Sequence, residues 1–400
     1  MPVTLRSTEA AEQFLSQFDF SDAALASSLV DSLILVSHEE LHAGLWAELK
    51  SLAADTDRPL ALFAAREASS TPYFDTVDRQ RRPSAVAEGG KVGSEGPVAN
   101  LIRDFARSYG PGKVLDHPHI ESMRATKVRR LVVVDDIIGS GHRLTSFVRW
   151  LSRDVTIKSW LSYGLVRFIV VAFAATDRGI TLVKNVNSVA AVNYNRLAEH
   201  GRAIWTDRER KEYISLCHRY AQRTSRPFWP LGFESEMTML VFQHKCPNTA
   251  PALIWAHSKD WHALIGGRPE FAFEEWPKNL DEADKLRRAL AYLRQTSLSE
   301  LHWMKYVSPM ARLRFLLLAA ISKRRLQTTL LSAIAGVSVS ACEQMLRECR
   351  RFGWITAAHR ITEAGLAELG HARQLRLLPD EEVRLTGDIY VPKSYRGASG

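Results

Sequence analysis

One run, RRLVVVDDIIGSGHRLTSFV at residues 129–148, constrains this chain more than any other. Leu131, Val132, Val133 and Val134 lead into Asp135 and Asp136. After Ile137 and Ile138, the residues Gly139, Ser140 and Gly141 stand directly before a stretch of helical spacing. An unbroken apolar run suits a parallel strand buried on both faces, which has no solvated side for polar residues. The acidic pair falls at its carboxyl end, where open α/β sheets bind their ligands. Two carboxylates there can accept hydrogen bonds from the vicinal hydroxyls of a sugar. Gly139 and Gly141 let the backbone approach a ligand, and Ser140 adds a hydroxyl donor. The following helix offers unpaired amides and the positive end of its dipole to a phosphate. A competing reading keeps this geometry without a nucleotide, the acid pair simply capping the helix at the sheet edge.

The neighbouring segments extend the pattern. Helical spacing runs over 25–52, with Leu41, Leu45, Trp46 and Leu49 on one stripe, and Pro59 opens a short apolar strand at 60–65. The stretch 69–97 is rich in Gly, Pro, Ser and charge and reads as a long loop. A loop of that length inside a domain is usually a lid or a binding loop. Further expectations are a helix at 98–109, a strand at 131–134, a helix at 143–151 and strands at 167–174 and 237–242. Strand, turn, helix and strand in this order make a doubly wound α/β unit. After residue 265 the composition shifts to GGRPEFAFEEWPKNLDEADK, which marks a domain boundary.

The 131–145 run resembles the phosphoribosyl-diphosphate motif of type I phosphoribosyltransferases, in which hydrophobic residues precede two acids and a small, Gly-rich turn with Ser or Thr. It departs from that motif where the common final Thr is replaced by His142 and Arg143, with Thr145 two positions on. Arg143 offers a charged contact to phosphate instead. The resemblance implies that Asp135 and Asp136 hold ribose hydroxyls. It also implies that Gly139, Ser140, Gly141, His142, Arg143 and Thr145 form the phosphate site, and that Mg2+ accompanies phosphoribosyl diphosphate. Arg66 and Glu67, directly after the 60–65 strand, fall where such enzymes touch the pyrophosphate. The 69–97 loop, with Arg79, Arg81, Arg82 and Lys91, matches their flexible lid. A solvated basic loop is the alternative for those four side chains.

A wider resemblance reaches to about residue 265. PLGFESEMTMLVFQHKCPNTAPALIW at 230–255 is similar to Pro-Leu-Gly and Pro-Asn-Asn-Thr-Leu-Pro segments of phosphoribosyltransferase-like effectors in bacterial anti-phage systems, some of them retron-associated. Here the second segment reads Pro247, Asn248, Thr249, Ala250, Pro251. The resemblance implies a defence effector held in check by a reverse transcriptase and its small hybrid nucleic acid.

Beyond residue 308 the pattern is helical at 311–323 and 328–335. A turn at Gly336 and Val337 follows, then SVSACEQMLRECRRFG at 338–353. This is helix-turn-helix spacing. Ala341, Cys342, Met345, Leu346 and Cys349 fall on the inward face, and Ser340, Gln344, Arg347, Arg350 and Arg351 on the outer face or its edge. Trp354, Ile355, Ile361 and Thr362 suit a two-strand wing whose tip, 357–360, carries Arg360, and 363–369 a closing helix. The whole resembles a winged helix-turn-helix. Between Leu301 and Asp380 twelve Lys or Arg stand against five acids, so most of the net charge of +9 lies in this part of the chain. Positive charge so concentrated favours a polyanionic partner, DNA or an RNA–DNA hybrid. A winged helix used for protein contact is the alternative.

The expected architecture is therefore α/β, with a type I phosphoribosyltransferase-like parallel sheet at 1–265 and a helical connector at 266–308. A winged helix-turn-helix domain at 309–385 and a disordered tail at 386–400 complete it. The rival function is a transcription regulator that senses phosphoribosyl diphosphate without catalysis. Cys217, Cys246, Cys342 and Cys349 form no CxxC pair, which argues against zinc knuckles and disulfide frameworks. His38-Glu39-Glu40-Leu41-His42 has zinc-protease spacing but no third ligand at a familiar distance, so no metal site is assigned to protein ligands alone. Asp116-His117-Pro118-His119 could hold a metal but reads more readily as an exposed turn, and Asp177-Arg178-Gly179 as an ordinary turn between strands. With no signal-peptide pattern and no apolar run of roughly 20 residues, the expectation is a cytoplasmic protein without a membrane partner. A homo-oligomer is compatible with all of this.

Overall fold

The apolar run at 131–134 lies in the middle strand of a five-stranded parallel sheet whose strands, in spatial order, are Val114–Asp116, Leu60–Ala64, Arg130–Ile138, Arg167–Ala175 and Val189–Leu197. The structure, a computed structural model, describes residues 5–85, 95–198, 205–266, 277, 282–295, 298, 307–323 and 326–375. It divides into two units, Met1–Arg202 with Arg208–Asn279, and Ala203–Asp207 with Leu280–Gly400. The first unit runs α1 (Glu9–Leu15), α2 (Phe20–Asp31), β1 (Ile34–Val36), α3 (His38–Ala54), β2 (Leu60–Ala64) and α4 (Glu95–Tyr109). Next come β3 (Val114–Asp116), α5 (Ile120–Ala125), β4 (Arg130–Ile138), α6 (His142–Leu151), α7 (Val155–Ser162) and β5 (Arg167–Ala175). It closes with α8 (Asp177–Lys184), β6 (Val189–Leu197), α9 (Asp207–Ala221), β7 (Leu240–Phe242) and α10 (Ala252–Trp255).

Alternation along β4 explains its composition. Leu131 and Val133 point into one core, where Leu144, Phe147 and Trp150 of α6 and Ile180 of α8 cover the sheet. Val132 and Val134 point into the other, under Leu41, Leu45 and Leu49 of α3 and Ile102 and Phe105 of α4. With period two and helices on both faces, each residue of the run must be apolar. All four are 1% exposed or less.

Four local expectations change. The helical spacing over 25–52 is broken by β1, which pairs in parallel with β7 as a separate two-stranded sheet. Helix α3 then starts afresh, its first turn capped by the Ser37 hydroxyl accepting the Glu40 N–H. The strand expected at 237–242 shortens to β7, because Met237 takes a left-handed backbone (φ 49°) incompatible with a strand. Asp177-Arg178-Gly179 is no plain turn but the start of α8, capped by Thr176. Asp116-His117-Pro118-His119 is not simply exposed. His117 is buried, its Nδ1 2.6 Å from Asp116 Oδ1, and its Nε2 accepts the Ala64 N–H at 2.9 Å. His119 caps α5.

The second unit contains α11 (Glu282–Tyr292), α12 (Pro309–Lys323), α13 (Thr328–Ala335), α14 (Val339–Arg351) and α15 (Glu363–Leu375). Leu286, Ala289 and Leu290 of α11 share its core with Phe315, Leu318, Leu331, Met345 and Leu346, so the connector segment contributes a helix to this unit. Helix α13 ends on left-handed Gly336 (φ 68°), and Ser338 caps α14 by accepting the Ala341 N–H. The two helices meet at 102°, within the range of helix-turn-helix pairs. The predicted two-strand wing is reduced to one bridge, Ile355 to Ile361, closed by Thr356 N–H to Arg360 O at 2.8 Å. Lys91, part of the loop 69–97 and the tail 386–400 lie outside the described residues.

Candidate functional site

β4 carries Asp135 and Asp136 to the carboxyl edge of the sheet, where both are almost fully buried (1% and 2% exposed). Buried carboxylates are tolerated only when paired. Here Arg143, in the first turn of α6, reaches back over the loop. One of its terminal nitrogens lies 2.6 and 2.7 Å from the Asp135 oxygens and 3.2 Å from Asp136 Oδ1. On the far side, His244 Nε2 lies 3.0 Å from Asp136 Oδ2. The expected phosphate contact of Arg143 is not made in this arrangement. Its guanidinium sits on the acid pair, whose buried carboxyls offer it charge-assisted hydrogen bonds.

The two carboxyls are driven apart. Burial pushes Asp135 well above the ordinary carboxylate range, against the opposing charge of Arg143 and with the help of Asp136. Burial acts in the same sense on Asp136, but the His244 hydrogen bond and the charges of Arg143, His244 and Lys245 outweigh it, so its carboxyl is held far below that range. Two neighbouring acids separated in this way are suited to different roles.

The loop after β4 opens onto a cavity of about 300 Å³ lined by the acid pair, residues 139–143, Glu67 and, opposite them, Phe233, Lys245 and Asn248. Gly141 is left-handed (φ 84°), and a Cβ there would stand 2.9 Å from Gly179 O. A Cβ on Gly139 would stand 2.8 Å from Thr249 Cγ2. Both glycines, expected to admit a ligand, are required first by close packing within the protein. Thr176 and Gly179 at the start of α8 brace the loop. Thr176 Oγ1 donates to Gly139 O at 2.7 Å, and a Cβ on Gly179 would fall 2.2 Å from the same oxygen. Ser140 lines the cavity and is nearly buried. His142 begins α6, its Nε2 3.7 Å from Glu234, which also pairs with Arg178. Thr145 was expected in the phosphate site, but its hydroxyl donates to His142 O at 3.0 Å within α6, and its side chain is buried outside the cavity.

Arg66 faces a second cavity, of about 620 Å³, that shares Glu67 with the first and is also lined by Arg81 and Arg82. Its guanidinium carbon lies 4.8 Å from the Trp150 ring centre and 5.3 Å from that of Tyr73. The segment read as a lid is tied down where it is described. Arg79 bonds Asp154 at 2.7 and 3.0 Å, and Arg82 donates to Asp116 O at 2.9 Å.

His244, Lys245, Thr176 and Gly179 had no assigned role in the sequence reading. The first two lie within the 230–255 segment that carried a resemblance, yet no spacing rule ties them to residues a hundred positions earlier. His38 and His42 of the zinc-protease string stack on His244 and Trp46. The four cysteine thiols are pushed up to about 12 by burial, which makes them inert at neutral pH. In the second unit, Ser340, Gln344, Arg347, Arg350, Arg351 and Arg360 are all exposed. Glu348 is drawn onto Arg314 on the inner side, and Arg347 lies 3.9 Å from Glu343.

Sheet, loop and acid pair define a phosphoribosyltransferase-like domain, followed in the same chain by a winged helix. Residues 11–266 match the PRTase-CE family model, and the chain belongs to that family. Residues 315–397 match the model of the wHTH-PRTase associated domain. No curated protein and no solved structure matches the chain. Among the described residues no single helix is long and apolar enough to cross a membrane.

Proposed function

We propose that this protein is a cytoplasmic phosphoribosyltransferase-like effector of a retron-type anti-phage system. It binds phosphoribosyl diphosphate with Mg2+ and docks on nucleic acid through its winged helix. The observation that carries the ligand is the acid pair beside a glycine loop at the carboxyl end of the central strand, open to a cavity of about 300 Å³, a size at the lower end of ligand sites. Asp135 and Asp136 take the ribose hydroxyls once Arg143 leaves them. The amides of 139–142 and the released Arg143 take the 5-phosphate, and Arg66 takes the diphosphate. The bond from C1 to pyrophosphate loosens first, leaving an oxocarbenium-like sugar for a base, a macromolecule or water to trap.

Magnesium typically binds through one or two carboxylates plus substrate phosphates. Asp135 and Asp136 fit that donor set, and among the described residues no cluster of three His, Cys, Asp or Glu could cage a metal alone. When bound, the ion neutralises charge on the diphosphate. The retron context, with a reverse transcriptase as partner, rests on the resemblance of the 230–255 segment.

Calorimetric titration of Mg2+ and phosphoribosyl diphosphate into the wild type and the Asp135→Asn/Asp136→Asn variant tests the ligand. A hydrogen bond to a charged group is worth roughly 1.5–3 kcal/mol, so the variant should bind about tenfold or more weakly. Absence of binding by folded wild type would remove the reading. The placement of Arg143 favours a second one, a ligand-sensing regulator. A ligand that displaces a guanidinium from two carboxylates rearranges the start of α6 as it binds, and a regulator would then release its DNA duplex on adding ligand.

A further inference from the structure

Basic and aromatic side chains converge at the other end of the sheet, where β4 and β5 begin. At ~3.3 Å per residue this edge lies about 20 Å along β4 from the acid pair. Arg124, Lys127, Arg129, Trp160 and Leu165 line a cleft of about 200 Å³ there. Arg124, Lys127, Arg129 and Arg167 are exposed. The Arg124 guanidinium carbon stands 6.0 Å from the Trp160 ring centre. Tyr163 is 78% exposed and Leu165 41% exposed.

Two of these cations are oriented without being neutralised. Arg129 donates to Leu165 O at 3.0 Å and Arg167 to Leu161 O at 3.1 Å, both carbonyls being uncharged. Their backbones are joined by Arg167 N–H to Arg129 O at 3.1 Å, which places both residues at the starting edge of the sheet. Of the neighbouring acids, Glu121 pairs with Arg124 at 2.7 and 2.9 Å and Asp55 with Arg130 at 3.0 Å.

A charged patch alone would suit any polyanion. Rings beside the cations narrow the choice, since bases inside a duplex are stacked on one another and cannot reach a side-chain ring without being unpaired. A single strand offers phosphates and free base faces together. We infer that the strand-start edge of the phosphoribosyltransferase-like unit is a nucleic-acid surface for a single strand, separate from the winged helix. Lys127, Arg129 and Arg167 contact its phosphates, and Trp160 and Tyr163 stack on its bases.

The test is fluorescence anisotropy of a labelled oligothymidylate with the full chain at low salt. Lys127→Glu/Arg129→Glu should weaken binding about tenfold or more and reduce the slope of log affinity against log salt by about 1.4, for two single-strand phosphate contacts. Lys50→Glu/Arg107→Glu makes the same change in charge on the opposite face of the sheet and should stay within about twofold. A loss no greater than this control overturns the inference. Trp160→Leu should weaken binding about fivefold or more, with Trp160→Phe restoring most of it, because stacking needs a ring face. No loss in Trp160→Leu overturns the single-strand assignment. So does equal competition by duplex that disappears in the Lys127/Arg129 variant.

Discussion

The acid pair at the end of β4 and the outer face of α14 are both charged, and they handle charge in opposite ways. Asp135 and Asp136 are withdrawn from water and held by Arg143 and His244. Arg350 and Arg351 stand in water at the end of a helix whose inner face is packed. A buried charge must be satisfied by its neighbours, so its geometry belongs to the whole fold and its removal costs stability. An exposed charge is satisfied by solvent, so its removal alters binding and leaves folding alone.

The contrast is tested most severely by Arg143→Ala. Breaking a buried pair from one side costs about 3–5 kcal/mol, to be read from urea unfolding at neutral pH. A loss below about 1 kcal/mol, the range of surface pairs, would break the comparison.

Next come the two carboxylates, which should differ. Asp136 is held below the ordinary carboxylate range, so its contribution is complete above about pH 4 and disappears as acid carries it through its folded value. Asp136→Asn should therefore cost about 1–3 kcal/mol near neutrality and less in acid. Asp135 is shifted upward, the folded state favouring its proton, so its contribution declines as pH rises above the ordinary range. Asp135→Asn, which mimics the protonated acid, should be the milder at pH 7. Equal losses would show that the pair is not polarised.

Glycines sharpen the comparison further. Gly179→Ala forces a methyl to within 2.2 Å of Gly139 O and should cost about 1–3 kcal/mol. Gly370, inside α15, has nothing within 4 Å of a Cβ position, so Gly370→Ala should stabilise by about 0.5–1 kcal/mol. The smallest effect on stability belongs to Arg350→Gln/Arg351→Gln. Its stability should change by less than about 1 kcal/mol, while the proposed docking on nucleic acid, if made to a duplex, should lose about 1.8 in salt slope. A larger change in stability would mean that these arginines are structural.

How much of this was legible beforehand follows the same division. The doubly wound order, the buried β4 and the inward stripe of α14 could be read because each is a period of two or of 3.6 imposed on a few consecutive residues. β1 was hidden inside a helical pattern because three apolar residues fit either period. The winged helix was legible almost to its caps, and only the wing contracted to a single bridge. At the site, Asp135 and Asp136 and the glycine loop were found as a local motif. The places of Arg143 and Thr145 were not, nor were the roles of His244, Thr176 and Gly179.

The sequence by itself determined the strand, the loop, the position of the acids towards the carboxyl end of the central strand and the exposed basic face of α14, since local period and local chemistry suffice for these. Only the tertiary structure decided that Arg143 would rest on the acids, that His244 would hold Asp136 from a distant segment, and that Gly139 would be packed against α8. Those outcomes depend on which buried charges and carbonyls meet when segments far apart in the chain close over one another, and burial makes each of them find a partner.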